Sequence, residues 1–171
     1  MSKKEQILYI FSDGGCHNNG KKNAKAGYSV YCKEYDIFNK TLQITGLIHT
    51  NNIGELSGIR HIFRILLKNV ETFKDKKIII VTDSKYCIDC IIKWSKNWIK
   101  NGWMNSKKEP VKNKEIIQEI VENYNSLNLD IKFKHVNSHI IEPINKKSLE
   151  WIIWNGNNIC DNNINTMLNL I

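Results

Sequence analysis

Three acidic residues stand where a carboxylate needs a reason to be. Asp13 ends the run ILYIFSD (7–13) and precedes Gly14 and Gly15; Asp83 ends KKIIIVTD (76–83). Glu55 lies just inside a segment of helical periodicity that opens after Thr50, Asn51 and Asn52. Both runs are short and largely apolar, the first with aromatics and the second β-branched, the pattern of strands buried on two faces. A charge at such a strand end must be neutralised by a partner or a metal, because an isolated buried carboxylate is very costly. In sheets with parallel strands, ligands gather at the strands' carboxyl ends. Two such ends plus an acid in the first turn of a helix can converge on one cation. Each acid also has a plainer reading. Asp13-Gly14 is a strong turn signal, and Glu55, three residues after Asn52, completes a capping box.

The elements that must position these acids can be read in order. The first strand spans about Ile7 to Gly15 and a polar loop follows to Ala26. Gly27 to Tyr35 and Thr41 to His49 read as two further strands of an antiparallel meander. Ile53, Leu56, Phe63 and Leu67 recur at helical spacing. After the strand at Lys76–Thr82, Ser84 caps a helix to about Ile92. Ile116 to Tyr124 reads as helix and Leu129 to Val136 as strand. Residues 140 to 150 read as loop, and Asn157 to Leu168 as a last helix, set off by Gly156-Asn157.

A chain of 171 residues suits one domain, 1–171, with a full core. No apolar run approaches membrane-spanning length. Met1 to Gln6 is polar and passes straight into the first strand, the pattern expected without a secretory leader. An intracellular, cytoplasmic and reducing setting is therefore expected, with the five cysteines as free thiols. Cys87 and Cys90 have CxxC spacing, but zinc needs about four ligands and no second pair follows.

The formal net charge of +8 suggests a polyanionic partner. Of the 25 basic residues 23 are Lys, as an A/T-rich coding sequence would give, so clustered charge is the better guide. The cluster is Lys93 to Glu115, where lysines interleave with Trp94, Trp98 and Trp103. Flat aromatics among cations suit a nucleic-acid groove; a Trp-packed helix with a solvated lysine face is the structural alternative.

Taken in order, DGG (13–15), TNNIGEL (50–56), TDSKY (82–86), SH (138–139) and GNNICD (156–161) resemble the motifs of the type 1 ribonuclease H family. The resemblance runs from about Ile7 to Leu168. It implies an α/β fold with a five-stranded mixed sheet, three strands antiparallel and then two parallel, flanked by helices. Residues 93–115 are similar to the family's basic protrusion. The resemblance implies Asp13, Glu55, Asp83 and Asp161 as metal ligands, and His139 as a nearby group for proton transfer or product release. It implies two Mg²⁺ ions, with Mn²⁺ able to substitute. Small hard cations need oxygen ligands, which explains carboxylates in place of thiols. Thr50 and Asn113 match positions that bind a DNA phosphate. Asn19, Asn51 and Asn52 match residues along the RNA strand, Trp98 and Ser106 match the protrusion beside the DNA strand, and Lys100 of the basic segment is a further candidate nucleic-acid contact.

The implied activity is endonucleolytic hydrolysis of the RNA strand of RNA–DNA hybrids, leaving 5′-phosphate and 3′-hydroxyl ends. The hybrid is the implied partner, with no membrane and a monomeric protein. Two rivals are a non-catalytic binding module on the same fold and a DNA-junction resolvase of the wider superfamily. The chain departs from the family in an extended loop at about 140–155, and in Ile48 where some eukaryotic members carry a phosphate-pocket arginine.

Overall fold

The computed structural model describes residues 6–46, 48–138 and 140–169. Five strands form one sheet: β1 (Gln6–His17), β2 (Lys25–Tyr31), β3 (Lys40–Gln43), β4 (Lys76–Thr82) and β5 (Asp130–His135). Their spatial order is β3-β2-β1-β4-β5. β1 pairs antiparallel with β2, and β2 with β3; β4 runs parallel to both β1 and β5. This is the mixed sheet that the motifs imply.

β1 is apolar on both sides because it is covered on both. Leu8 and Ile10 are buried in the larger core with Ile78 and Ile80, under α1 (Asn51–Lys68). Phe11 and Val81 pack with Val136, Ile153 and Cys160 beneath the last helix, α6 (Leu149–Asn169). The intervening helices are the short α2 (Val70–Phe73), α3 (Lys85–Ile88), α4 (Ser95–Lys100) and α5 (Lys114–Ser126). A π-helical turn at Asp89–Trp94 joins α3 to α4, so the helix capped by Ser84 continues past Ile92 into the basic segment. The Ser84 hydroxyl accepts from the Cys87 amide at 3.3 Å.

Two expected strands are shorter than their composition suggests. β2 stops at Tyr31 because the next amide, Cys32, donates to the Asn39 side chain at 2.6 Å. β3 stops at Gln43; the Ile44 amide still reaches the Ala26 carbonyl at 2.8 Å, after which the chain turns away at Gly46. An edge strand lasts only as long as its single neighbour pairs with it.

The last helix differs more. It starts at Leu149, so Trp151–Trp154 and Asn155 are helical and the irregular stretch from 140 ends at 148, not at 155. Ser148 accepts from the Trp151 amide at 3.1 Å, as an N-cap does. Gly156 is not a break: a Cβ there would run into the Phe11 ring, so its missing side chain seats the helix on the sheet. All five cysteines are free thiols, and Cys87 and Cys90 are fully buried, packed as small apolar side chains.

Candidate metal centre

The register of β1 and β4 accounts for the first two acids. Phe11 pairs with Val81 at the end of the parallel ladder. Asp13 and Asp83 each follow two residues after that pair, and their carboxylates come together. Glu55 arrives from α1 over Gly14, where a Cβ would collide with the Glu55 amide nitrogen. A Cβ on Gly58 would collide with the Ser12 hydroxyl. Helix and strand backbones therefore touch, and only residues without side chains allow it. The helix is capped by Thr50, whose hydroxyl accepts from the Ile53 amide at 3.2 Å. Glu55 thus lies beyond the first turn and is buried, which removes its capping-box role.

As a result, one carboxylate oxygen from each of Asp13, Glu55 and Asp83 lies within 4.8 Å of the others. Burial, followed by the charges of Asp83 and Asp161, pushes Asp13 up to about 7, although the Gly14 amide donates to it at 2.8 Å. Burial, with Asp13 and Asp83 beside it, holds Glu55 well above the ordinary carboxylate range. One Glu55 oxygen is buried without a hydrogen-bond partner. Three clustered acids, two of them held back from ionising and one with an orphaned oxygen, fit a hard divalent cation, which would satisfy that oxygen and offset the repulsion.

Asp161 stands outside this three-carboxylate group but near it. It projects from α6 into a cavity of about 90 Å³ that Asp83 also lines, and its carboxylate accepts from the Asn165 side chain at 3.2 Å. Ser138, Asn157 and Asn158 share that cavity, and the Asn157 side-chain oxygen is buried and unpartnered. Neither periodicity nor residue type singles out Asn157; its one signal in the sequence is its place inside GNNICD. His135, equally inconspicuous in the sequence, contacts the Asp83 carbonyl oxygen through Nε2 at 3.0 Å and steadies the end of β4. His139 lies outside the described residues.

The expected nucleic-acid residues fall into two groups. Asn19 accepts from the Asn51 amide at 3.4 Å, tying the β1–β2 loop to the start of α1 beside Thr50 and Asn52. On the other side, Trp94, Trp98 and Trp103 form a continuous run of tilted ring contacts with centroids 5.8 and 6.3 Å apart, joined edge-on to Tyr86. All three rings are half-buried against the core, so the tryptophans brace the protrusion. Lys100 and Ser106 are exposed. Asn113 takes a left-handed conformation, φ 60°, and its side chain donates to the Tyr86 hydroxyl at 3.2 Å.

A mixed five-stranded sheet with a carboxylate on its central strand and another just past the adjacent parallel strand, joined by a buried glutamate from the covering helix, defines a class of α/β proteins with a candidate cation site on the sheet. Similarity to known proteins narrows it. The RNase H family model matches residues 5–166, and the chain belongs to the RNase H family. It is 31% identical over 135 residues to ribonuclease H1 of Mus musculus, covering 78% of this chain and 45% of that one. To ribonuclease H of Tropheryma whipplei (strain Twist) it is 40% identical over 101 residues, covering 58% of this chain and 57% of the relative. The chain thus spans about half the length of these curated relatives. A foamy viral protease–reverse transcriptase solved in complex with RNA/DNA hybrid superposes with a TM-score of 0.67 at 18% identity, over 100% of this chain and 22% of that one. That likeness is one of fold. Among the described residues, no helix is long and apolar enough to cross a membrane.

Proposed function

We propose that the chain is an endoribonuclease that hydrolyses the RNA strand of RNA–DNA hybrids, using Asp13, Glu55, Asp83 and Asp161 to hold two Mg²⁺ ions, with Mn²⁺ as a substitute. The observation that carries the reading is the meeting of Asp13 on β1, Glu55 on α1 and Asp83 just past β4 within 4.8 Å. Bound there, a pair of such ions supplies an activated water and charge stabilisation for an in-line displacement at phosphorus. The chain's own part is to hold the ligands. β1 and β4 fix the two aspartates in register, the Gly14 contact brings Glu55 over them, and α6 presents Asp161 from the remaining side. His139 would move a proton near the cleaved bond or help release product. Hydrolysis in this sense leaves 5′-phosphate and 3′-hydroxyl ends.

Hybrid selection fits the surrounding polar groups. Asn19, Asn51 and Asn52 offer short side chains to sugars and backbone, where the 2′-hydroxyl separates RNA from DNA. Thr50 and Asn113 would seat a DNA phosphate, with Trp98, Lys100 and Ser106 beside the same strand. The carboxylate cluster argues against a purely binding role, since a module without chemistry has no use for acids whose ionisation burial opposes. One assay tests the reading: labelled hybrid, double-stranded RNA and double-stranded DNA, each with Mg²⁺ or chelator. Mg²⁺-dependent cutting of the hybrid's RNA alone is expected. Cleavage of duplex DNA in preference to hybrid would turn the reading to a resolvase-like nuclease, and no cleavage of any substrate would refute it.

A further inference from the structure

Arg60 and Arg64 are the only arginines among 25 basic residues. They stand four apart on α1, where side chains share a face. That face borders a cavity separate from the carboxylates, about 260 Å³ in volume, between α1 and the outer strands. Tyr28, Gln43, Thr45 and Ser57 line it together with the two arginines.

The charges there do not balance. Glu119 on α5 accepts from Nε and Nη2 of Arg64 at 2.5 and 2.9 Å, and lies 3.7 Å from Arg60 Nη1. One carboxylate therefore serves two guanidiniums. His61, also in the wall, is lowered by burial and then by the Lys40 and Arg64 charges, although its ring contacts the Phe38 carbonyl. Burial and then the Arg64 charge lower Arg60 as well, against the opposing pull of Glu119. Arg60 makes no hydrogen bond among the described residues. The Ser57 hydroxyl is buried and unpartnered, a state that calls for an explanation.

A brace between α1 and α5 explains Arg64 and Glu119. It explains neither the unbonded fork of Arg60 nor Ser57. A brace or a surface charge is also met by lysine, which this chain uses everywhere else. Arginine's planar fork matches carboxylate or phosphate through two parallel hydrogen bonds. Three hydroxyl-bearing residues beside the fork offer more donors than a two-oxygen carboxylate takes up, and suit a tetrahedral oxyanion. The volume approaches the roughly 300 Å³ at which small-ligand sites begin, more than a bare ion needs.

We infer that this cavity is a phosphate-binding site, distinct from the carboxylate cluster, that takes a phosphate ester on Arg60 beside Tyr28, Thr45 and Ser57. It is tested on metal-free protein at fixed ionic strength by following backbone amide resonances. Inorganic phosphate and a short RNA–DNA hybrid are titrated separately, with chloride as the reference anion. Phosphate should give saturable shifts at Gln43–Thr45 and Ser57–Arg64 that chloride does not. Arg60→Gln should weaken them at least tenfold, and Arg60→Lys, which keeps the charge without the fork, should not restore them. Asp13→Asn, which removes the proposed cleavage, should leave them intact. Hybrid moving the same amides would identify a nucleic-acid backbone phosphate as the ligand; phosphate alone moving them would identify a small phosphorylated molecule. If neither moves them, or if Arg60→Gln binds phosphate as wild type does, the pair is only a brace and the inference is wrong. Should Arg60→Gln not fold, the wild-type titration against chloride decides alone.

Discussion

Asp13 is buried among touching backbones and other acids, whereas Lys100 is exposed on a segment whose tryptophans contact one another. The two regions use charge in opposite ways. At the carboxylate cluster, like charges are forced together in a poorly solvated place, and the close glycine contacts of β1 and α1 prevent escape. On the protrusion, like charges are spread over an exposed surface, and apolar rings beneath supply the rigidity. The first arrangement stores repulsion that a cation can relieve. The second presents a diffuse field that a polyanion can meet in many registers. Chemistry should therefore be sensitive to single atoms in the first region, and binding to summed charge in the second.

The sharpest break in that contrast is Asp13→Asn or Asp83→Asn. Either should reduce hybrid cleavage to background while hybrid affinity largely survives, since most of the affinity comes from phosphate contacts. Cleavage assays paired with binding isotherms would check both halves. Near-normal turnover by either variant would remove the basis for the metal assignment.

The next largest effect should come from a single methyl group. Gly14→Ala places a Cβ against the Glu55 backbone, which cannot rotate aside as a side chain can. The cost should reach or exceed the roughly 1–3 kcal/mol typical of overpacking. Metal affinity should fall with it, because Glu55 is displaced from Asp13. Thermal unfolding and metal titration by calorimetry would report the two losses. Unchanged metal affinity would mean that Glu55 is not held by this contact.

Proton linkage gives a smaller effect with a definite sign. The folded state raises Asp13 from 3.8 to about 7, so below the unfolded value both states hold the proton and nothing is lost. As pH climbs from about 4 through about 7, the unfolded chain ionises first and metal-free stability falls, levelling off above. Each tenfold change in an ionisation constant is worth about 1.4 kcal/mol, so the total is on the order of a few kcal/mol. Asp13→Asn should show a shallower slope, with the part due to the equally buried Glu55 remaining, and a saturating divalent cation should reverse the slope in wild type. Chemical denaturation across pH, with chelator or with metal, would measure the difference. Parallel curves for wild type and Asp13→Asn would contradict the burial argument.

What is legible in the sequence follows from where each signal lies. Asp13 and Asp83 close apolar strand-like runs, so a periodicity argument finds them and even implies their proximity. Asp161 sits in mid-helix with no local oddity, and only the ordered motifs pick it out. Gly156 looks like a helix break because a sequence does not show Phe11 pressed against it. β3 looks longer than it is because its apolar residues outrun the neighbour it pairs with. The cavity at Arg60 is invisible in the sequence, since its walls come from β2, β3 and α1 and its excess charge depends on a glutamate 55 residues from Arg64. Local chemistry and periodicity are written in order along the chain; close contact between distant backbones is not.

The smallest expected effect separates the protrusion from the core most cleanly. If the lysines of 93–115 were only the residue of A/T-rich coding, neutralising them would leave binding untouched. If they meet phosphates, each does so as a point charge whose contribution fades with salt. Lys100, Lys107, Lys108 and Lys112 are all exposed and none belongs to the carboxylate cluster. Replacing all four with glutamine should flatten the slope of log K against log salt by about 3 to 4, taking duplex DNA as the guide and assuming every one engages. Turnover at saturating hybrid should persist, because no metal ligand is touched, and stability should stay within about 0.5 kcal/mol, as for ordinary surface substitutions. The Trp94–Trp98–Trp103 ring contacts should survive, leaving tryptophan fluorescence as the control that the scaffold is intact. Hybrid affinity across a salt series for wild type and the fourfold variant decides the question. Equal slopes would reduce the protrusion to a solvated helix end and leave the tryptophans with a packing role alone.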